Sequence, residues 1–405
     1  MNLPGTAPRA IPARFATVYL IAILLAPLIS VTVPRGLAPL VIACCLIGTV
    51  MFRLDQGRWP VPSTRWLLIL GGFLAYGALS ALWSIRPTQS LKQAFELAYT
   101  LIPALLFATA AVQVPLPVLD ERRIRWFLLA YFAAIVLLML DLLHGLPVYL
   151  LMRGGVSRDS ELEGSLINRN MVAMAALCWP AFQTFWLRRE WGAAALLPVG
   201  MIVLVTGGSS ESAMVGLLIG LITLAIAMVA PTFTRVALGV GVVVTFFGTI
   251  PAMEWLYSLD LIDHTHLPFS FLHRIEIWHY ASNLVFEKPL FGWGLDSSRS
   301  LAEKVIVERG GYEFPVLPIH PHNAFLQVWL ELGLVGVCFG IAIGLTVLRG
   351  IGQLPRQSQP VALAAFAGSM AMISVAYGIW QVWWIGVLIL SLLMIHVLAR
   401  QHRVG

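Results

Sequence analysis

The chain has 405 residues, of which 59% are hydrophobic and only 11% are charged, and its net charge is +6. A soluble protein of this composition would have too little polar surface, so the composition predicts a polytopic membrane protein. The basic residues are spread over many short connections, which favours membrane topology over a nucleic-acid-binding patch and predicts no nucleic-acid partner.

Twelve apolar runs have the length of about 17 to 25 residues that a helix needs to cross a membrane. Their approximate limits are 15–33, 36–52, 66–85, 91–114, 124–145, 169–187, 191–207, 212–230, 235–257, 322–348, 359–378 and 380–399. The first run resembles a secretory signal but has no small-x-small cleavage site, so we expect it to be retained as a helix. The expected fold is all-α, with about twelve transmembrane helices in a single domain over residues 1–405.

The distribution of Arg and Lys predicts the orientation. With a cytoplasmic N-terminus, 15 of the 26 basic residues lie on the cytoplasmic side, and an even number of spans places both termini there. Two longer connections then lie outside, at about 146–168 and 258–321. Because long connections in compact proteins are usually functional, the loop 258–321 between the ninth and tenth spans is the first place to look for a site.

Within this loop, residues 269–299 have the spacing of an amphipathic helix, which Pro289 ends before a glycine turn. Arg274 and Trp278 are four residues apart on one face, so the indole could stack on the guanidinium. Arg299 follows the glycine turn. Arginine is the usual residue for binding phosphate oxygens, and a solvated surface charge is the alternative for each of these arginines.

Two His-x-His pairs, at 264/266 and 320/322, suggest zinc, but no further ligands follow at typical spacing, so we predict no metal site. Pro321 interrupts the preceding segment, and Asn323 predicts the start of the tenth span. His322 would then lie at the outer end of that span, where a neutral imidazole can take a proton from a hydroxyl.

Glycines recur at spacings of three and four in the tenth span. They are Gly333, Gly336, Gly340 and Gly344, and small residues at this spacing predict close approach of a neighbouring helix.

These two segments resemble the superfamily of O-antigen ligases and O-antigen polymerases. His322 and Asn323, followed by nine residues and then "GLVG" from Gly333 to Gly336, match its His-Asn signature. "RIEIWHYASNLVFEKPLFGWGLDSSR" is similar to its external-loop pattern, and the twelve-span topology agrees. One departure is that the family often has a Ser-Arg pair at the outer start of a middle span, where this chain reads Ser209, Ser210 and Glu211.

The resemblance implies glycosyl transfer at the periplasmic face of a bacterial inner membrane, among membrane lipids. The implied donor is a glycan on undecaprenyl pyrophosphate, the implied acceptor is a sugar hydroxyl, for a ligase on lipid A-core, and no metal, nucleotide sugar or other cofactor is expected. Attack opposite the leaving group would invert the anomeric centre.

The resemblance also implies residue roles. His322 would be the base, Arg274 would stabilise the leaving pyrophosphate, and Arg169 and Arg299 would assist in binding it. Asn323, Trp278, Gly333 and Gly336 would be structural members of the motifs. Arg169 could instead be an anchor at a helix end whose charge reaches the interface.

Three functions are weighed. A ligase is favoured by the length of the external loop and the His-Asn form of the motif, and a polymerase would use the same chemistry on a growing chain. A transporter would place ionisable residues within its spans, where Asp141 and Glu96 are the main candidates and lack counterparts in a second repeat. Arg153 and Arg158 lie in a loop of mixed charge, which is more typical of solvation than of a site.

Overall fold

The computed structural model describes residues 13–114, 120–152, 163–208, 210–261, 269–301, 306–309, 312–315 and 319–401. The helices are α1 Ala13–Thr32, α2 Leu37–Gln56, α3 Thr64–Leu79, α4 Pro87–Gln113, α5 Glu121–Leu143, α6 Pro147–Met152, α7 Glu163–Leu187, α8 Trp191–Gly207, α9 Glu211–Val229, α10 Pro231–Ser258, α11 Phe269–Glu287, α12 Ser298–Leu301, α13 Ala324–Ile351, α14 Gln359–Ile373 and α15 Val382–Gln401. The predicted all-α class is confirmed. A short antiparallel hairpin in the large loop, β1 Ile306–Arg309 and β2 Tyr312–Pro315, was not predicted.

Each of the twelve predicted apolar runs coincides with one of these helices. Within the described ranges, nine helices are long and apolar enough to cross a membrane. Two of the remaining helices, α8 and α14, have only 17 and 15 residues. Hydropathy locates such helices because a chain in lipid must satisfy its backbone hydrogen bonds within each segment. The protein is therefore a multi-pass membrane protein.

Local chemistry sets several helix ends. The Asp120 carboxylate accepts a hydrogen bond of 2.8 Å from the backbone N–H of Arg123 and caps α5. Pro87 and Pro231 occupy the first positions of α4 and α10, where no intrahelical N–H is needed. Gly57 ends α2 with a left-handed φ of 69°.

The core is organised around α7, whose residues 170–184 are all buried. This helix packs against α1, α8, α14 and α15. Beside it α9 and α14 cross closely, since a Cβ on Gly368 would lie 2.6 Å from the carbonyl oxygen of Gly216. The crossing fixes the start of α9 relative to the connection that follows α14, and both contribute to the site described below.

The predicted loop helix is confirmed as α11, which packs on α10 and α13. Asp141, weighed above as a transporter residue, has a structural environment. Its Oδ1 accepts hydrogen bonds from the backbone N–H groups of Val148, at 2.7 Å, and Tyr149, at 3.1 Å. The carboxylate therefore holds the start of α6 against the end of α5.

Candidate functional site

The His-Pro-His segment forms a tight turn directly before α13. The Asn323 side chain caps this helix by accepting hydrogen bonds from the backbone N–H groups of Phe325, at 3.0 Å, and Leu326, at 3.1 Å. His322 has a left-handed φ of 53°, uncommon for a residue with a Cβ. Its backbone N–H donates a hydrogen bond of 3.2 Å to Nδ1 of His320, and the centroids of the two imidazole rings lie 4.3 Å apart. The predicted helix start is confirmed, and the turn brings the two imidazoles together.

The surroundings of His322 keep its ring neutral. Nδ1 lies 2.7 Å from the carbonyl oxygen of Ala376, and because that oxygen can only accept, the proton is assigned to Nδ1 and the lone pair to Nε2. Burial lowers the pKa of His322 from 6.5 to about 4, with added repulsion from Arg274 and His273, although the Ala376 contact acts in the opposite direction. A neutral imidazole with a free lone pair is a proton acceptor.

His320 packs beside this ring and is itself buried. Burial, the neighbouring His322 and the charges of Arg299 and Arg169 lower its pKa to about 3. The ring packs against Gly378, where an added Cβ would lie 3.0 Å from Cδ2 of His320. A side chain at position 378 would therefore push His320 away from the backbone of His322.

Trp278 of α11 also holds the His-Pro-His turn in place. Its buried indole Nε1–H donates a hydrogen bond of 2.9 Å to the carbonyl oxygen of Pro321, which ties α11 to the segment between the histidines. The indole makes this contact in place of the expected stacking on Arg274. The guanidinium of Arg274 instead pairs with the carboxylate of Glu211, with 3.2 Å between Nη1 and Oε2. Trp278 therefore positions the turn, whereas Arg274, on the same helix, acts on His322 through its charge.

The three predicted arginines gather around the two histidines. Arg274 acts electrostatically on His322, and Arg169 and Arg299 act on His320. The guanidinium of Arg169 also lies 5.9 Å from the centroid of the Tyr377 ring. Arg299 Nε donates to both carboxylate oxygens of Asp296, at 2.8 and 2.9 Å. Three guanidinium groups therefore act on the two imidazoles, and two of them, those of Arg274 and Arg299, have a carboxylate as counter-ion.

The two sequence motifs interlock at a break in α13. Gly333 has φ 60° and ψ −158°, so the helix is interrupted there. The turn after Pro289 enters the gap: Trp293 N donates to the carbonyl oxygen of Leu330 at 3.0 Å, Gly294 N to that of Glu331 at 2.8 Å, and Leu334 N to that of Pro289 at 2.9 Å. The backbone groups released by the break are satisfied by the loop.

The prediction that the glycines of α13 pack against a neighbouring helix is wrong for Gly333 and Gly336. A Cβ on Gly333 would lie 2.5 Å from the carbonyl oxygen of Leu290, so the segment that approaches is the loop and not a helix, and a Cβ on Gly336 would meet Leu332 of its own helix. The prediction of helix packing is confirmed further along. Gly340 and Gly344 face Phe246 and Val242 of α10, respectively.

A buried carboxylate, Glu331, was missed by the sequence analysis. Its oxygens accept hydrogen bonds from the backbone N–H of Asp296, the hydroxyl of Ser298 at 2.6 Å, the amide of Gln327 at 3.0 Å and the indole of Trp380 at 2.6 Å. The residue is fully buried in α13. It therefore joins the Arg299 loop, α13 and the segment after α14 at one point.

A sequence profile described as O-antigen ligase matches residues 193–339. Proteins of Rickettsia conorii and Rickettsia bellii, whose names describe them provisionally as polysaccharide ligases, are 33% and 32% identical over 131 residues. A Rickettsia felis protein of the same description is 30% identical over 131 residues. The similarity to O-antigen ligases therefore extends over residues 193–339 and not over the whole chain. The matches to these relatives cover 32% of this chain and 32% of each relative's own length.

The stretch that matches the O-antigen ligase profile contains Arg274, Arg299 and His322. It also contains Gly294 and Gly333 at the break in α13. Two partners at the site, Arg169 and Tyr377, lie outside it, and the fold brings them in from α7 and from the connection after α14. Burial raises the pKa of the Tyr377 hydroxyl, against the effect of Arg169 and Arg274. Tyr377 was not predicted, because its position in the site depends on packing between helices distant in the chain.

Several residues named in the sequence analysis lie outside the residues that the structure describes. They are Arg153, Arg158, Ser209, His264 and His266. Within the described part, no three His, Cys, Asp or Glu side chains lie close enough together to share a metal ion.

Proposed function

We propose that this chain transfers a glycan from a lipid pyrophosphate to a sugar hydroxyl, as an O-antigen ligase. The observation that carries the proposal is the neutral imidazole of His322 beside the charges of Arg274, Arg169 and Arg299. A base and a cluster of guanidinium groups are the two elements that displacement of a pyrophosphate requires. The names of the Rickettsia relatives support the same class of reaction.

In this reaction His322 Nε2 accepts the proton of the acceptor hydroxyl as its oxygen attacks the anomeric carbon. The bond from that carbon to the pyrophosphate oxygen breaks, and the lipid pyrophosphate leaves as an anion. Attack opposite the leaving group inverts the anomeric configuration. Because the pyrophosphate is already a stable anion, it needs positive charge more than a proton, and Arg274, with support from Arg169 and Arg299, supplies it.

An apolar cavity beside the site supports a lipid-linked donor. It has a volume of about 240 Å³, lies among α10, α13, α14 and α15, and is lined by side chains such as Phe246, Phe325, Val328 and Trp380. Ala324 and Phe325, which line it, directly follow the turn that contains His322. Its apolar lining suits a few units of an isoprenoid chain, and the rest of such a chain would extend into the lipid. A larger cavity of about 610 Å³ near Arg356 contains none of the site residues.

The ends of the helices support a periplasmic location for the site. The helix α13 starts at the site and carries Arg349 near its other end, α7 is followed by Arg188, and α15 carries Arg400. By the positive-inside rule these arginines lie on the cytoplasmic side, and the site lies on the opposite side of a bacterial inner membrane. Both termini are then cytoplasmic, and the donor meets its acceptor outside.

The acceptor distinguishes a ligase from a polymerase, and we favour lipid A-core. The test incubates the purified protein with undecaprenyl-pyrophosphate-linked oligosaccharide, with and without lipid A-core, and follows the products by gel. Glycan on lipid A-core, formed only when that acceptor is added, is the expected result, and the new linkage should have the inverted configuration by NMR. A ladder on the donor lipid would instead identify a polymerase. Absence of any transfer would contradict the proposal.

A further inference from the structure

The ion pair between Arg274 and Glu211 joins two helices at the site. Glu211 is the first residue of α9, and its Oε2 lies 3.2 Å from Nη1 of Arg274 on α11. The Glu211 side chain is 49% exposed, and that of Arg274 is 20% exposed. A carboxylate at a helix N-terminus is favoured by the helix dipole, which explains why Glu211 suits this position but not why it contacts a site arginine.

The counter-ions of two site arginines differ in how firmly they are held. Arg299 is paired with Asp296, which is buried and also accepts a hydrogen bond of 2.6 Å from Gln89. Glu211 is half-exposed, and a solvent-exposed ion pair is weak because water and salt compete with it. An incoming anion can therefore displace Glu211 from Arg274 much more easily than it can displace Asp296 from Arg299.

The guanidinium of Arg274 is also the one placed to affect the chemistry. It acts electrostatically on His322 and on Tyr377, and it is the guanidinium proposed above to stabilise the leaving pyrophosphate. While Glu211 is paired with it, part of that positive charge is neutralised. A pyrophosphate that takes Arg274 must first exchange places with the carboxylate.

We propose that Glu211 is a displaceable counter-ion, which holds Arg274 in the empty site and releases it to the pyrophosphate of the donor. This inference rests on the proposed function. It makes Glu211 a residue that sets donor affinity and its dependence on salt, while the proton transfer belongs to His322. Because exposed ion pairs are weak, the competition weakens donor binding by about twofold to fivefold.

The test compares Glu211→Gln with wild type, using binding of undecaprenyl pyrophosphate measured by tryptophan fluorescence together with donor KM and kcat. The amide keeps the shape of the side chain and removes its charge. We expect the Kd for the lipid pyrophosphate and the donor KM to fall by about twofold to fivefold, with a smaller change in kcat. Glu254→Gln is the matched control, since Glu254 pairs with His279 near the end of α10.

Two outcomes would overturn the inference. If Glu211→Gln raises the Kd or leaves it unchanged, the carboxylate only positions Arg274 or has no effect on the anion. If the gain in affinity persists in the Arg274→Gln background, it comes from a long-range field and not from competition for that guanidinium. Failure of the proposed function is separate: wild type would then transfer no glycan, whereas the binding measurement would still decide the role of Glu211.

Discussion

Replacing Gly333 by alanine tests the interlocked break in α13. At φ 60° and ψ −158° the backbone lies in a region that only glycine adopts readily. The new methyl group would lie 2.5 Å from the carbonyl carbon and oxygen of Leu290 and 2.7 Å from the backbone N of Gly292. These are backbone atoms, so the contact cannot be relieved by rotating a flexible side chain.

The expected loss of stability follows from two contributions. A residue with a Cβ in this conformation costs about 1 to 3 kcal/mol. If the loop moves away to make room, one or two of the hydrogen bonds that join it to α13 are lost, at about 0.5 to 1.5 kcal/mol each. The total is about 1.5 to 6 kcal/mol. Activity should fall as well, because the displaced loop carries Arg299 and the helix carries His322.

The assay is thermal unfolding in detergent, followed by tryptophan fluorescence. Gly350→Ala is the control in the same helix, since a Cβ there meets nothing within 4 Å and should be neutral or slightly stabilising. We expect the melting temperature of Gly333→Ala to fall clearly below that of the control. Equal melting temperatures and equal activity would refute the account of the break.

Three further predictions concern the site. On the acid side, kcat/KM should fall to half of its maximum near pH 4, because the pKa of His322 is lowered from 6.5 to about 4 and the base is lost only as the pH falls through that value. Arg274→Gln removes a positive charge that lowers this pKa, so it should move the midpoint to higher pH. A wild-type midpoint near pH 6.5 would contradict this assignment. Trp278→Phe removes the hydrogen bond to the Pro321 carbonyl, so kcat should fall with little change in KM, and an unchanged kcat would show that the bond does not position the turn. Glu331→Gln places an amide N–H₂ among four donors and should lower the free energy of unfolding by about 1 to 3 kcal/mol in denaturation measurements, whereas wild-type stability would exclude the carboxylate as an organising group.

The positions of the helices could be predicted because lipid makes every apolar run of sufficient length a helix. The start of α13 could also be predicted, since the capping chemistry of Asn323 is local. The break at Gly333 could not, because a glycine within an otherwise apolar span is also typical of an uninterrupted transmembrane helix. It depends on a loop that arrives from 40 residues earlier in the chain, and the sequence pattern gives no sign of that approach.

The residues of the site likewise separate into those that a sequence motif predicts and those that only packing brings together. Arg274, Arg299 and His322 were found because their motifs carry them, whereas Tyr377 enters the site only through packing. A usable signal for Glu331 was present, since an ionisable residue within an apolar span indicates a functional or organising position, and Gln327 lies one turn before it. This signal was applied to Asp141 and Glu96 and not to Glu331.

The most direct test of His322 as the base is the single-turnover rate of glycan transfer with donor already bound. A general base contributes about 10²- to 10⁴-fold, so His322→Gln should slow the transfer by at least about 100-fold. His144→Gln is the control, because His144 is exposed at the end of α5. A His322→Gln rate close to that of wild type would contradict the assignment, even if transfer itself were observed.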